Sequence, residues 1–308
     1  MILNTGQRTD IPAFFSTWLC NRLRAGSVCV RNPFNPRQVS RYKLDPAVVD
    51  AIGFCTKNPE PMLGHLDLLR DFGQLWYVTI TPYGRDIEPH VPDKHHLLEV
   101  FRALSDAVGA HAVGWRYDPI LITPTYSVAY HLRAFETMAA ALEGATDTVV
   151  ISFVDRYRTV RRNFPEVREV SPRDRIELGR ALIDIAGAHG MTVRPCAEGD
   201  ELAPFGADCV GCQTIAQFER AIGCRLAAPA YRRNRASCAC YLACDIGAYD
   251  TCPHGCRYCY ANANRQAVEE NLARHDPTSP LLIGALEAGD VVHDVPQRSW
   301  KTMQERLF

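Results

Sequence analysis

The chain has 308 residues, with 34 Lys and Arg against 35 Asp and Glu, 47% hydrophobic residues and 13 cysteines. That length holds one large α/β domain or two ordinary ones, and this apolar fraction with 22% charged residues excludes a disordered or fibrous chain. A formal net charge of −1 gives no global field for nucleic acid or an anionic membrane; no apolar run approaches the roughly 20 residues of a membrane span, and the start MILNTGQRTD has no signal-peptide pattern, so a cytosolic protein is expected.

Short β-rich runs alternate with helical patterns as far as about residue 198. The expected strands are Ile2–Asn4, Ser27–Val30, Ala51–Cys55, Leu75–Thr81, Ala112–Tyr117, Thr148–Val154 and Met191–Pro195. Several are near-continuous apolar runs, as strands buried on both faces of a parallel sheet require. The helices between them have readable ends. One starts at Asp93, an N-cap, and stops at Gly109. A second carries Leu132, Phe135 and Leu142 and stops at Gly144. A third opens with Ser171-Pro172-Arg173-Asp174 and ends at Gly190. Alternation of this length predicts an α/β fold with a parallel sheet and right-handed crossovers, a barrel or partial barrel over residues 1–198.

Polar residues recur where the apolar runs end: Lys57 after the third, Arg116 and Asp118 after the fifth, Asp155 after the sixth and Glu198 after the seventh. In a parallel barrel these ends share the rim on which active sites are built. Lys57, Arg116, Asp118 and Asp155 are therefore the candidate substrate-positioning residues. From 199 to 250 the composition shifts to Cys, Gly, Ala and Arg, with a short helix near Thr214–Ile222, which reads as a loop-rich insert held by metal rather than by a core. Residues 251–308 form the remaining segment, a cysteine loop with a closing helix and a tail. The three stretches read as one integrated domain.

Ten of the cysteines lie between Cys196 and Cys259, and an odd total argues against a fully paired disulfide framework. In a reducing compartment, metal or cluster ligation is the leading explanation. The sharpest signal is Cys252-Pro-His-Gly-Cys256-Arg-Tyr-Cys259, three thiolates at C-x3-C-x2-C spacing that can wrap one inorganic cluster from a single loop. Three protein ligands leave one iron of a [4Fe-4S] cluster open to a substrate or cofactor. Strand-like Asp245–Tyr249 before the loop and helical Ala261–Arg274 after it place it at a strand's C-terminal end. A zinc knuckle, with His254 or Cys244 as fourth ligand, is the structural alternative.

With the aromatic Tyr258 before its last cysteine, this loop resembles the signature of radical S-adenosylmethionine enzymes. The resemblance implies that Cys252, Cys256 and Cys259 hold a [4Fe-4S] cluster and that Tyr258 lies beside S-adenosylmethionine. It also implies reductive cleavage to a 5′-deoxyadenosyl radical, fed by a reducing partner such as flavodoxin or ferredoxin. In that superfamily the motif follows the first strand of a partial barrel, whereas here it lies near the C-terminus. A circularly permuted barrel reconciles the two, with the chain's first strand beside the cluster loop. Asn4, Thr5, Arg8, Thr9 and Asp10 would then meet the cofactor's amino-acid end.

The whole chain also resembles an uncharacterised bacterial family, domain of unknown function 1848. The matching residues are Arg8-Thr-Asp-Ile-Pro-Ala-Phe14, Arg31-Asn-Pro-Phe34, Phe54-Cys-Thr-Lys-Asn-Pro59, Trp115-Arg-Tyr-Asp-Pro-Ile120, Ser152-Phe153 and Asp245-Ile-Gly-Ala-Tyr249. That family supplies no reaction. The same resemblance groups Cys196, Cys209, Cys238 and Cys240 as a second centre, an auxiliary [4Fe-4S] cluster or a four-thiolate zinc site; Cys212, Cys224 and Cys244 are extras that could substitute. Such a centre would relay an electron or bind substrate.

Two basic segments, Arg156–Phe164 and Tyr231–Arg235, allow a rival reading as a metal-stabilised module that binds nucleic acid, or a radical enzyme acting on it. Neutral net charge disfavours both.

Overall fold

The computed structural model describes residues 1–230, 238–242 and 244–302. In chain order its elements are β1 (Ile2–Asn4), α1 (Ile11–Phe14), α2 (Ser16–Ala25), β2 (Ser27–Asn32), β3 (Asn35–Lys43), β4 (Ala51–Thr56), α3 (Glu60–Leu63), β5 (Gly73–Thr79), α4 (Lys94–Val108), β6 (Val113–Ile120), α5 (Val128–Leu142), β7 (Thr148–Phe153), α6 (Arg158–Asn163), α7 (Pro172–Ala188), β8 (Thr192–Pro195), α8 (Ile215–Ile222), α9 (Arg265–Leu272) and β9 (Val291–Asp294). Six strands form one sheet in the order β1-β4-β5-β6-β7-β8, and every neighbouring pair is parallel. The expected α/β class and parallel sheet are therefore present. No helix among the described residues is long and apolar enough to cross a membrane.

The apolar runs form this sheet because both of its faces are covered. Successive residues point to opposite sides. Phe54, Trp76, Val78, Trp115 and Ile151 enter the main core with residues of α1, α2, α4, α5 and α7, while Ala51, Leu75, Tyr77 and Val150 enter a second core. Stacking of Phe54 on Trp76 at 3.8 Å and of Trp115 on Phe135 at 4.7 Å fixes the first layer. The helix starts follow from their caps. Asp93 accepts from the His95 and His96 amides, and Ser171 from that of Asp174.

Three expectations require correction. Ser27–Val30 is no strand of the parallel sheet. It begins β2, which pairs antiparallel with β3, and β9 joins β3 in a separate three-stranded sheet. The cause is an Asx turn, in which Asn32 Oδ1 accepts from the amides of Phe34 at 2.9 Å and Asn35 at 3.3 Å and folds the chain back. The strand expected at Asp245–Tyr249 is reduced to one parallel bridge, Asn4 to Asp245. Asp245 spends its carboxylate on the amides of Gln7 and Gly247, both at 2.9 Å, a local pattern that competes with a ladder.

The Cys-rich stretch, finally, is not without a core. It buries Phe218, Leu226 and Tyr241 against the sheet's second face. Close contact there leaves no room for a side chain on Gly53. A Cβ would lie 2.3 Å from Gln213 Nε2 and 2.7 Å from Asn4 Oδ1, two atoms that hydrogen-bond each other at 2.7 Å. Gly53→Ala should therefore cost about 2 kcal/mol, read as a lower urea midpoint with an unchanged slope.

Candidate functional site

The Cys252 loop lies at the C-terminal ends of the strands, beside β1. The Asn4–Asp245 bridge sets the segment leading into it along the free edge of that strand. Its turn is tight. Gly255 has φ +70°, and a Cβ there would stand 3.1 Å from Pro89 Cγ. Backbone bonds fasten it to the loop after β5, with the His90 amide donating to the His254 carbonyl and the Arg257 amide to the Ile87 carbonyl. Asn262 Nδ2 donates to the Cys252 carbonyl at 2.6 Å.

The three thiols lie close enough together to perturb one another. Burial, and then the charges of Asp10, Cys259 and Cys256, pushes Cys252 far above the ordinary thiol range. Burial pushes Cys256 up to about 12, while Lys57 pulls it the other way. Burial also raises Cys259, against amide hydrogen bonds from Ala261 and Asn262. The His254 amide serves Cys252 likewise. Such N–H groups aimed at sulfur are the means by which proteins stabilise and tune cluster thiolates. Two buried oxygens, Asn262 Oδ1 at the loop exit and Thr9 Oγ1 beside Gly247 and next to Asp10, have no hydrogen-bond partner among the described residues, which suits a polar ligand near the loop. The donor set thus fits a cluster with a small polar cofactor.

Asp10 supports the loop from below. One carboxylate oxygen accepts from Thr56 Oγ1 at 2.6 Å and from the Ala13 amide at 3.1 Å, which caps α1; the other accepts from the Lys57 amide at 2.7 Å and binds His254 Nε2 at 3.0 Å. His254 is therefore held by Asp10, with its ring edge-on to Phe14 at 4.5 Å. Cys244, the other ligand considered for a zinc knuckle, hydrogen-bonds Tyr42. Thr5 binds the Gly53 carbonyl through its amide and its hydroxyl. Arg8 lies over the Tyr249 ring and 3.9 Å from Asp245.

Glu88 is the site residue that sequence reasoning misses. It is 1% exposed, yet its carboxylate accepts from Lys57 Nζ and Thr81 Oγ1, each at 2.7 Å, and from Lys94 Nζ and the Tyr258 hydroxyl. Burial opposes its ionisation, but the two ammoniums outweigh burial and hold the carboxyl down at about 2. Lys57 is raised because Glu88 and Cys256 overcome its burial. Lys94 is lowered, because burial and repulsion from Lys57 exceed what the shared carboxylate returns. Tyr258, expected beside a cofactor, is thus pinned through its hydroxyl with Lys57 Nζ 5.6 Å from its ring centre and Tyr83 edge-on at 6.0 Å. Glu88 stands in a proline-containing loop with no periodic pattern, so no spacing announces it.

Arg116 and Asp118 form an ion pair on β6, with Arg116 over Tyr77 on the sheet's second face, and Ser152 donates to the same carboxylate. Asp155 lies further out and accepts from the Tyr157 hydroxyl at 2.9 Å. Glu198 binds the Phe153 amide and Arg175, and burial raises it to about 7.

Arg116 Nη1 is 3.6 Å from Cys212 Sγ. That sulfur lies 3.1 Å from Cys240 Sγ and 3.5 Å from Cys196 Sγ, and Cys240 also hydrogen-bonds Cys238. Of the expected second set, the fold brings Cys196, Cys238 and Cys240 together, joined by Cys212. Cys209 stands apart, with its Sγ 3.9 Å from the Ala207 carbonyl and no thiol among its partners. Hydrogen bonds from Cys196 and Cys240 favour the thiolate at Cys212 against its burial. No disulfide joins any described pair of cysteines. No group of three or more His, Cys, Asp or Glu among the described residues already stands in ion-holding geometry. Of the two basic segments, α6 docks on the loop exit, where Arg162 binds the Ala263 carbonyl and Thr159 the Tyr260 carbonyl. Tyr231–Arg235 lies outside the described residues.

A parallel α/β sheet with a cysteine loop at the C-terminal ends of its strands and a thiol group on its second face defines the class. The chain belongs to the family described as domain of unknown function (DUF1848), whose pattern matches residues 2–261 and so spans both sets of cysteines. No curated protein matches it.

Proposed function

We propose that this protein is an iron–sulfur enzyme of the radical S-adenosylmethionine type, with Cys252, Cys256 and Cys259 as ligands of a [4Fe-4S] cluster. The observation that carries this reading is the loop itself. It has three thiols, amide donors on two of their sulfurs, and Asn262 Oδ1 at its exit, which with Thr9 Oγ1 next to Asp10 is buried without a partner among the described residues. When bound, the cluster and S-adenosylmethionine together supply a 5′-deoxyadenosyl radical that abstracts hydrogen from a substrate.

The chain's own residues do the remaining work. Thr9 and Asn262 receive the cofactor's polar end, and Asp10 holds the loop through His254 and the Lys57 amide. The Lys57–Glu88–Lys94 group fixes Tyr258 and excludes water beneath the thiols. Arg116 and Asp118 orient the substrate from the sheet's second face, with Asp155 at its outer edge. We read the sheet as a circularly permuted partial barrel, a reading supported by the Asn4–Asp245 bridge, which sets the loop-bearing segment next to β1. A one-electron donor such as flavodoxin or ferredoxin completes the system.

The test is paramagnetic resonance of the reduced protein with and without S-adenosylmethionine. Coordination at the open iron shifts the cluster signal, whereas a spectrum indifferent to the cofactor overturns the proposal.

A further inference from the structure

The thiols of Cys196, Cys212, Cys238 and Cys240 gather in the second core, on the sheet's second face, from three separate stretches of chain. These are the end of β8, the turn before α8 and the segment after α8. Cys212, Cys238 and Cys240 are buried and Cys196 is half-buried. Their sulfurs are too far apart, at 3.1 and 3.5 Å, for a disulfide bond of about 2.05 Å. Four thiolates around one tetrahedral zinc ion, each at about 2.3 Å, stand about 3.8 Å from one another. Opening the Cys212–Cys196 and Cys212–Cys240 contacts by about 0.3 and 0.7 Å reaches that spacing. The thiolates of a cubane cluster each take a different iron and lie much further apart. Spreading this set so far would break the Gln213 amide bond to Cys240 Sγ and the Tyr77 hydroxyl bond to the Cys212 carbonyl.

We infer that Cys196, Cys212, Cys238 and Cys240 form a mononuclear four-thiolate zinc site, distinct from the Cys252 loop and independent of how that loop is read. Binding exchanges the thiol protons to solvent and leaves a net charge of −2 on the ion and its ligands. Arg116 Nη1, 3.6 Å from Cys212 Sγ, balances part of that charge, and the Gln213 amide on Cys240 orients its ligand. The site staples the chain from Cys196 to Cys240 onto the sheet. It also holds Arg116 for its partner Asp118.

The full chain, expressed with iron and zinc both supplied and purified anaerobically, is assayed for metals and by X-ray absorption at the zinc edge. One zinc per chain with four sulfur neighbours is expected. It should survive Cys256→Ala and Cys209→Ser and be lost in Cys212→Ser. Since Cys212→Ser could unfold the chain, Co2+ exchanged into the wild type gives a second reading: the intense visible bands of a tetrahedral thiolate complex are expected. Zinc with nitrogen or oxygen neighbours, no metal beyond the loop iron, or a second set of irons that vanishes with Cys212→Ser would each overturn the inference. Zinc that persists in a protein whose loop holds no iron would leave this site standing and defeat the reading of the loop.

Discussion

A Cys256→Ala variant should lose its loop-bound iron altogether while keeping its fold. In the proposed function Cys256 is one of three ligands supplied by one short loop, and a cluster left with two protein thiolates has two open irons and is readily lost. The fold should persist, because Cys256 packs only at the margin of the main core. The sheet and its two cores form from residues such as Trp76, Trp115 and Phe218, far along the chain from the loop. Iron analysis and far-ultraviolet dichroism on the same preparation separate the two effects. The contrasting variant is Cys29→Ala. Cys29 is buried with Val39 and Leu281, so its replacement should lower stability by about 1 kcal/mol and leave the iron in place.

Glu88→Ala should destabilise the protein by about 3 kcal/mol or more, the range found when one partner of a buried ion pair is removed. Lys57 and Lys94, with side chains 11% and 21% exposed, would face each other with no carboxylate between them. The same group predicts a pH dependence. Its folded value, about 2, lies below the ordinary 4.5, so Glu88 contributes stability that is present above about pH 4.5 and is lost as the pH falls toward 2. The gap between the urea midpoints of wild type and variant should narrow from neutral pH to pH 3. A difference that stays constant across this range would show that Glu88 acts through packing and not charge.

Much of this architecture is legible in the residues. β4, β5 and β7 are buried on both faces, so their runs are nearly continuous in apolar residues, whereas β6 carries Arg116 and Asp118; Asp93 and Ser171 mark helix starts because their side chains cap them. β3 is hidden because most of its residues are exposed and polar, and it is held by its hairpin and by β9 rather than by a core face of its own. The loop cysteines announce themselves by spacing, which is a local property. Glu88 and Cys212 do not. Glu88 acquires its role from Lys57, Lys94 and Tyr258, which arrive from three other places in the chain. Spacing cannot tell Cys209 from Cys212. The turn through Gly211, at φ +124°, lies between Cys209, which packs at the edge of the main core, and Cys212, which joins the thiol group on the other face.

The most direct test of the central claim is chemical. Protein reconstituted anaerobically with iron and sulfide is reduced in the presence of S-adenosylmethionine, and 5′-deoxyadenosine is measured against the Cys256→Ala variant. The proposed function predicts product from the wild type and none from the variant. A cluster that assembles fully yet leaves the cofactor uncleaved would contradict it and recast the loop as an electron-transfer or structural site.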